Sequence, residues 1–279
     1  MFSLEESYNQ AIRISRNIVE DIRFGRQLYL NPIDIYSTQI CKYLNDDTNT
    51  LSFLNSVQNK NSYMYSHPAN VALISFVIGK WLSLDYLKLE NLVRTGLLHD
   101  IGKAKIKDSL LYKADALTLE EIEKLKSHPV IGYKILDSVK LFDSEVLQGV
   151  LFHHERMDGS GYPLGLKGEK INLLSRIIAI ADTFDAITAN MAYRKRKSPL
   201  VAIEEIQANS LKQLDPNICK IFIKNIMEYY CGREIRLSNE QVGNIVNINP
   251  VEITKPVVRY EDKIHDLSVE RDIEVVEIL

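Results

Sequence analysis

The feature that most restricts the fold is a succession of helical-period segments that runs from residue 63 to about residue 230. Apolar residues recur there at the spacing of helices that pack through one face. Strand-like alternation is rare in the same span, so we predict a helical bundle. The predicted helices cover residues 67–82, 86–98, 119–127, 130–136, 144–154, 173–191, 200–211 and 217–230.

The regions on either side of this bundle differ from it. Residues 4–26 repeat apolar positions at helical spacing, which predicts at least one further helix. After Gly232, short segments rich in Val and Ile predict a small β unit, at 234–237, 243–248, 256–260 and 273–278. We therefore expect a mainly α protein with a helical N-terminal subdomain (1–62), a central domain (63–231) and a β-rich C-terminal unit (232–279).

The net charge and the cysteines indicate which binding partners and which cellular compartment to expect. The formal net charge is −3, whereas proteins that bind duplex nucleic acid usually carry a basic excess. The three cysteines are too scattered for a disulfide framework, which favours a reducing cytoplasm. The longest apolar stretch, at 71–82, is interrupted by Lys80 and is too short to cross a bilayer. We expect a cytoplasmic protein without a membrane span.

Five of the six histidines lie between positions 67 and 154, in about a third of the chain. Several have distinctive neighbours, as in the pairs His99-Asp100 and His153-His154. Imidazole and carboxylate groups bind Zn, Fe and Mn, and the lack of nearby cysteine disfavours a structural zinc site. A single buried histidine is usually only packed and hydrogen-bonded, but five in such company favour a metal site. The sixth, His265, stands alone, and we expect it at the surface.

The adjacent pairs impose a geometric condition, because neighbouring side chains on a helix diverge by about 100 degrees. His99 and Asp100 can converge on one metal only near a helix end, or else they reach different metals. A carboxylate has two oxygens, so Asp100 is a natural bridge between two ions. A helix that ends at His153-His154 would meet the same condition, and the Gly-Ser-Gly-Tyr-Pro run that follows is strongly helix-breaking.

Several cationic residues could meet a phosphate. Two metal ions about 3.5 to 4 Å apart can hold an ionised water and clamp the oxygens of a phosphodiester. Lys103, one helical turn beyond His99, could offset the negative charge that develops there, or could be an ordinary exposed lysine. The basic run that begins Arg194-Lys195 is either a solvated helix end or a phosphate contact. Arg176 is a candidate for substrate contact or for a structural salt bridge.

Four strings in order closely resemble the HD-GYP domain, a bacterial subgroup of the HD phosphohydrolase superfamily. They are LLHDIGK (97–103), HPVIGYKIL (128–136), HHERMDGSGYP (153–163) and SRIIAIADTFDAIT (175–188). The resemblance implies an HD-superfamily helical bundle that hydrolyses the second messenger cyclic di-GMP to pGpG, and sometimes to GMP. It also implies two divalent metal ions, with Fe or Mn favoured over Zn.

The same resemblance assigns roles to individual residues. It implies that Asp100 and Lys103 act in catalysis and that Tyr162, in the name-giving Gly-Tyr-Pro loop, lies beside the substrate. That loop and the N-terminal helices are candidate surfaces for a homodimer or a signalling partner. The implied metal ligands are His67, His99, Asp100, His128, His153, His154 and Asp182.

Three positions depart from the family pattern. Tyr63 stands where some members carry a glutamate that supports a third metal, so we expect two ions. Pro68 replaces the usual serine after the first histidine. Met191 replaces an arginine that resembles a phosphate contact, so another cyclic dinucleotide, a linear dinucleotide or another nucleotide phosphate stays open as substrate. A non-catalytic module that senses a nucleotide or docks a partner is the remaining alternative.

Overall fold

The computed structural model describes residues 3–45, 50, 63–113, 115–189 and 197–279, and in this part the chain is mainly helical, as predicted. No helix among these residues has the length and apolar character needed to span a bilayer. The helices are α1 (Leu4–Arg23), α2 (Asn31–Asn45), α3 (Tyr63–Trp81), α4 (Tyr86–Leu98), α5 (Asp108–Leu111), α6 (Leu119–Lys126), α7 (His128–Val139), α8 (Ser144–Phe152), α9 (Leu173–Thr188), α10 (Pro199–Asn209) and α11 (Pro216–Tyr230), with short 3-10 helices at Ile101–Lys105 and Gly168–Lys170.

Local sequence signals explain where several of these helices begin. Ser3 caps α1 and forms a reciprocal capping box with Glu6, and Thr118 does the same for α6 with Glu121. Such pairs satisfy backbone amides that the first helical turn leaves without partners. The predicted helices differ from the observed ones mainly at their ends, because end positions depend on such caps and on tertiary packing.

Helix α3 lies at the centre of the bundle and carries part of the site. It packs against α1, α4, α9 and α11 and is buried along most of its length, from Ser66 to Gly79. Gly96 of α4 faces it so closely that a Cβ atom there would lie 2.4 Å from Cα of Ala72. The absence of a side chain at Gly96 lets the two backbones approach, and this brings His67 on α3 near His99 at the end of α4.

One continuous apolar core extends from the N-terminal helices through the bundle to the C-terminal sheet. The sheet is antiparallel with strand order β4-β3-β2-β1-β5. Its strands are β1 (Glu234–Leu237), β2 (Val242–Asn247), β3 (Val257–Tyr260), β4 (Lys263–Asp266) and β5 (Val275–Ile278). Four of the five coincide with predicted segments to within two residues.

Strand β4 was not predicted, because its sequence Lys-Ile-His-Asp is not rich in the Val and Ile that mark the other strands. The expected surface position of His265 on this strand is also corrected. Its ring stacks on Tyr260 of β3, with 3.8 Å between ring centroids, and its Nδ1 lies 2.9 Å from a carboxylate oxygen of Glu270. The side chain is 18% exposed.

Candidate metal centre

Both adjacent pairs of candidate ligands lie at the C-terminal end of a helix. Helix α4 ends at Leu98, so His99 is its C-cap and Asp100 follows in a non-helical conformation. Helix α8 ends at Phe152, and His153 and His154 come directly after it. The expectation that a helix ends at each pair is confirmed, since at such an end adjacent side chains can converge.

The structure brings all seven implied ligands into one cluster in the protein interior. Two groups of His and Asp side chains have ligand atoms that all lie within 4.8 Å of one another, and Asp100 belongs to both. The groups are Asp100, His128, His153 and His154, and His67, His99 and Asp100. Asp182 lies beside the second group, because its Oδ1 is 3.2 Å from Nε2 of His67. The carboxylate of Asp100 therefore stands between two potential ion positions.

Close packing of two backbone segments, at Gly102 and at the start of α7, places His128 in this cluster. Gly102, in the 3-10 helix after Asp100, faces the first turn of α7, and a Cβ atom there would lie 2.0 Å from the carbonyl oxygen of His128. A side chain at this position would force the two segments apart. Glycine thus allows His128 to approach Asp100, and its Nε2 lies 3.3 Å from Oδ1 of that carboxylate.

Backbone carbonyls orient three of the histidines. The Nδ1 atoms of His99, His128 and His153 each lie 2.7 to 2.8 Å from a carbonyl oxygen three residues earlier. A carbonyl can only accept, so Nδ1 carries the proton and Nε2 presents a lone pair. The Nε2 atoms of His128 and His153 face each other at 3.3 Å. Two facing lone pairs call for a cation between them, and a metal ion would satisfy this arrangement.

The carboxylate of Asp100 supports the same conclusion. Its Oδ1 is buried and has no hydrogen-bond donor among the described residues, whereas Oδ2 accepts a bond from Nζ of Lys103. An anionic oxygen in the protein interior is costly unless a positive group compensates it. The histidine and aspartate donors around Asp100 are those that bind divalent transition metals. The residues present therefore fit divalent metal ions.

Protonation states in the cluster follow from burial and charge. Burial lowers the pKa of His154 to about 3 and, with the neighbouring histidines, holds the pKa of His153 well below its ordinary value. Burial by itself would raise the pKa values of Asp100 and Asp182. For Asp100, the positive charge of Lys103 and the surrounding histidines outweigh the effect of burial, and its pKa lies well below the usual range. For Asp182, His67 does the same, and its pKa is also well below the usual range. Neutral imidazoles and ionised carboxylates are the states that bind metal.

His67 is held differently, by two carboxylates of α9. Its Nδ1 lies 2.6 Å from Oδ2 of Asp185, and Asp182 faces its Nε2. Burial opposes a charged ring, but these two carboxylates raise the pKa of His67 to about 10, so a metal ion must displace a proton here. Asp185 was not predicted. Its position three residues after Asp182, on the same face of a helix, is the signal that could have identified it.

Tyr63 contacts the same histidine. The tyrosine hydroxyl lies 3.1 Å from Nδ1 of His67, and the two rings stack with 4.9 Å between their centroids. At the position where some HD-GYP members carry a glutamate, this chain therefore offers a phenol that packs on a ligand. A neutral phenol does not supply the anionic oxygen that a further divalent ion would need.

The Gly-Tyr-Pro loop is tied to the cluster through Glu155, a residue that was not predicted. Its carboxylate, 2% exposed, accepts hydrogen bonds from the amides of Leu164 at 2.7 Å and Leu166 at 2.9 Å. The amide of Tyr162 donates to the carbonyl of His154, and the two rings stack with 4.8 Å between centroids. Tyr162 therefore lies directly against one candidate ligand.

The remaining predicted site residues lie in different surroundings. Lys103 is 37% exposed, whereas Asp100 beside it is 10% exposed, so the lysine stands at the outer side of the cluster. Arg176 donates to Asp215, the N-cap of α11, at 2.7 Å, which favours the structural salt bridge over a substrate contact. Arg194 and Lys195 lie outside the described residues, as does Met191.

Comparison with known proteins gives one family match and several similar curated proteins. The family model described as HD domain matches residues 52–218. A cyclic di-GMP phosphodiesterase of Pseudomonas aeruginosa is 32% identical over 76% of this chain and 51% of its own length. A 3′3′-cGAMP-specific phosphodiesterase of Vibrio cholerae is 35% identical over 63% of this chain and 41% of its own length. The chain thus spans about half the length of these curated relatives, or less.

A solved structure shares the fold. The structure of an HDG"Y"P protein from Bdellovibrio bacteriovorus aligns with a TM-score of 0.66 over 80% of this chain and 70% of that one. The two sequences are 17% identical, so the likeness concerns the fold alone. It agrees with the predicted HD-superfamily bundle.

Proposed function

The chain belongs to the HD domain family, and from that premise we propose that it is a metal-dependent phosphodiesterase that hydrolyses cyclic di-GMP to pGpG, with further hydrolysis to GMP left open. The central bundle, residues 63–231, is its catalytic domain in this proposal. One observation carries it: Asp100 stands between two His/Asp groups whose ligand atoms lie within 4.8 Å of one another. A carboxylate shared in this way suits a pair of divalent ions.

Each group would hold one ion. His67, His99 and Asp182 would serve one position, the His128 group would serve the other, and Asp100 would join the two. Bound divalent ions would supply an ionised water as nucleophile and would neutralise the phosphodiester oxygens. We expect Fe or Mn there because the resemblance to the HD-GYP domain favours them, whereas the imidazole and carboxylate ligands by themselves would also suit Zn.

The chain's own residues prepare the site for an anionic substrate. Lys103 places a positive charge at the outer side of the cluster, where phosphoryl oxygens would approach, and its bond to Asp100 keeps that carboxylate ionised. Tyr162 offers a half-buried ring against His154 on which a nucleotide base could stack. Arg194 and Lys195 would add positive charge for the second phosphate.

A second candidate substrate is 3′3′-cGAMP. One observation favours it: the relative from Vibrio cholerae is named as specific for that compound. Met191, which replaces an arginine of the family pattern, leaves the choice between cyclic dinucleotides open. Loss of a bidentate phosphate contact would weaken the binding of every cyclic dinucleotide, and the base contacts would then decide the preference.

The test is hydrolysis by protein purified without oxygen and loaded separately with Fe(II), Mn(II) or Zn(II). Cyclic di-GMP and 3′3′-cGAMP are supplied in parallel, the products are separated by chromatography, and metal is counted on the same sample. Metal-dependent formation of pGpG or GMP supports the proposal. Protein that holds two ions yet cleaves neither compound would refute it and would favour the non-catalytic sensor.

A further inference from the structure

A line of buried hydrogen bonds connects the N-terminal helix α1 to the candidate metal centre. The hydroxyl of Tyr8 donates to Oδ1 of Asn70 at 2.6 Å. Nδ2 of Asn70 donates to Oδ1 of Asp185 at 2.7 Å. The other oxygen of Asp185 lies 2.6 Å from Nδ1 of His67, whose Nε2 faces Asp182 and His99. Three helices, α1, α3 and α9, thus contribute to one continuous path.

Every member of this path is inside the protein. Tyr8, Asn70, Asp185 and His67 are each at most 4% exposed. Hydrogen bonds in such an interior are electrostatically stronger than in water, and bonds in a chain polarise one another. A change in the hydrogen bond of Tyr8 is therefore expected to alter the hydrogen bonding of His67 at the other end of the path.

The chemistry of Asn70 makes Tyr8 the residue that sets its orientation. A side-chain amide has a donor end and an acceptor end, and only the donor end can serve the carboxylate of Asp185. The Tyr8 hydroxyl donates to the acceptor end, so it favours the orientation in which Nδ2 faces Asp185. Asp185 in turn fixes the rotation of the His67 ring. Groups that orient a ligand in this way affect metal affinity although they do not touch the metal.

We propose that Tyr8 is a positioning residue for the metal centre and acts through Asn70 and Asp185 on His67. The proposal rests on the proposed function, because it assumes that His67 binds a metal ion. Tyr8 lies outside the stretch 52–218 that matches the HD domain family, so helix α1 completes a site whose ligands all lie in the matched region.

The test compares Tyr8→Phe with Tyr36→Phe in the full chain. Tyr36 of α2 is 2% exposed, belongs to the N-terminal helices and lies near Tyr8, but it makes none of the hydrogen bonds that form the path. Metal-free protein is titrated with Mn(II) against a chelating indicator, without substrate, and circular dichroism checks the fold. We expect Tyr8→Phe to lower the Mn(II) affinity of one of the two ion positions about tenfold and to leave the affinity of the other unchanged. Tyr36→Phe should change neither.

A double-mutant cycle distinguishes positioning from a general loss of stability. Asp185→Asn should lower the Mn(II) affinity of the same ion position by about 10- to 100-fold. If Tyr8 acts through Asp185, the double variant Tyr8→Phe/Asp185→Asn binds Mn(II) no more weakly than Asp185→Asn alone. Additive losses, or equal weakening of both ions by Tyr8→Phe, would overturn the proposal.

The two proposals fail in different ways. Wild-type protein that binds two ions but hydrolyses no cyclic dinucleotide refutes the proposed function, and the metal titration still decides the role of Tyr8. Wild-type protein that binds no divalent ion overturns both. Full hydrolysis with unchanged Mn(II) affinity in Tyr8→Phe refutes only the positioning role.

Discussion

Nδ1 of His67 lies 2.6 Å from Oδ2 of Asp185, although 118 residues separate the two in sequence. Asp185 is fully buried, and Asp182, one turn earlier on the same helix, faces the other ring nitrogen. Helix α9 therefore supplies both a candidate ligand and the carboxylate that orients a neighbouring ligand. Such carboxylate–histidine pairs raise the basicity of the imidazole and fix its rotation. The packing of α9 against α3 is thus part of the site as well as of the core.

Removal of the shared carboxylate should abolish the centre. We expect Asp100→Ala to lose metal and to lower turnover at least about a hundredfold, because both ion positions lose a ligand. Asp137→Ala is the matched control and should keep both, because this half-exposed aspartate has Lys140 as its only ion-pair partner within the described part of the chain. Metal analysis and hydrolysis are measured on the same samples. Full metal content in Asp100→Ala would show that this carboxylate is not a bridge.

Lys103 should affect chemistry more than metal binding. We expect Lys103→Met to keep its metal and to lower kcat by about 10²- to 10³-fold, because a positive group beside the phosphoryl oxygens acts mainly on the transition state. Lys107→Met, at an exposed lysine four residues later, serves as the control. A variant with unchanged kcat would return Lys103 to the role of an exposed lysine.

Glu155 should hold the Gly-Tyr-Pro loop in place. Glutamine offers one acceptor oxygen where the carboxylate serves two amides, so Glu155→Gln should cost about 1 to 3 kcal/mol of unfolding free energy. Hydrogen exchange at the amides of Leu164 and Leu166 should become faster. Glu169→Gln, at an exposed position nearby, should change neither quantity. Unaltered exchange at both leucine amides would contradict this role.

Arg176 should matter for stability and not for substrate. Arg176→Gln leaves the carboxylate of Asp215, 5% exposed, without its ionic partner. We expect a loss of about 1 to 3 kcal/mol in urea unfolding, with KM unchanged. A raised KM at unchanged stability would instead support the substrate contact that was considered from the sequence.

The metal-free protein should be most stable near pH 6.5, the pKa of an unperturbed histidine. Below that pH the histidines of the unfolded chain bind protons, whereas His153 and His154 in the folded protein stay neutral because their pKa values are depressed. The free energy of unfolding therefore decreases as the pH falls. As the pH rises from about 6.5 towards 10, the contribution of His67 is lost, because its folded pKa is raised to about 10.

Urea unfolding of the metal-free protein across this pH range measures both effects. Each histidine changes the free energy of unfolding by at most about 1.4 kcal/mol per pH unit. Bound metal keeps His67 neutral, so the decline above pH 6.5 should disappear when the protein is loaded. A profile that is flat on both sides of pH 6.5 would contradict these pKa shifts.

The sequence alone determined the features that depend on local order along the chain. Helical periodicity predicted the bundle, and the Val- and Ile-rich segments after Gly232 predicted four of the five strands. The adjacent pairs at His99 and His153 favoured helix ends as one of two possible arrangements, and α4 and α8 end there. These predictions succeeded because periodicity, capping and adjacent side-chain geometry are properties of neighbouring residues.

Only the tertiary structure decided which polar residues support the site. The spacing to Asp182 could single out Asp185, but no segment of the sequence pairs it with Asn70, which lies 115 residues away. Likewise, nothing near Arg176 in the sequence identifies Asp215 as its partner. Packing chooses these pairs, because the cost of burying a polar group is offset only by whichever partner the folded chain brings to it. For that reason the link from Tyr8 to His67 is visible in the folded chain and in no segment of its sequence.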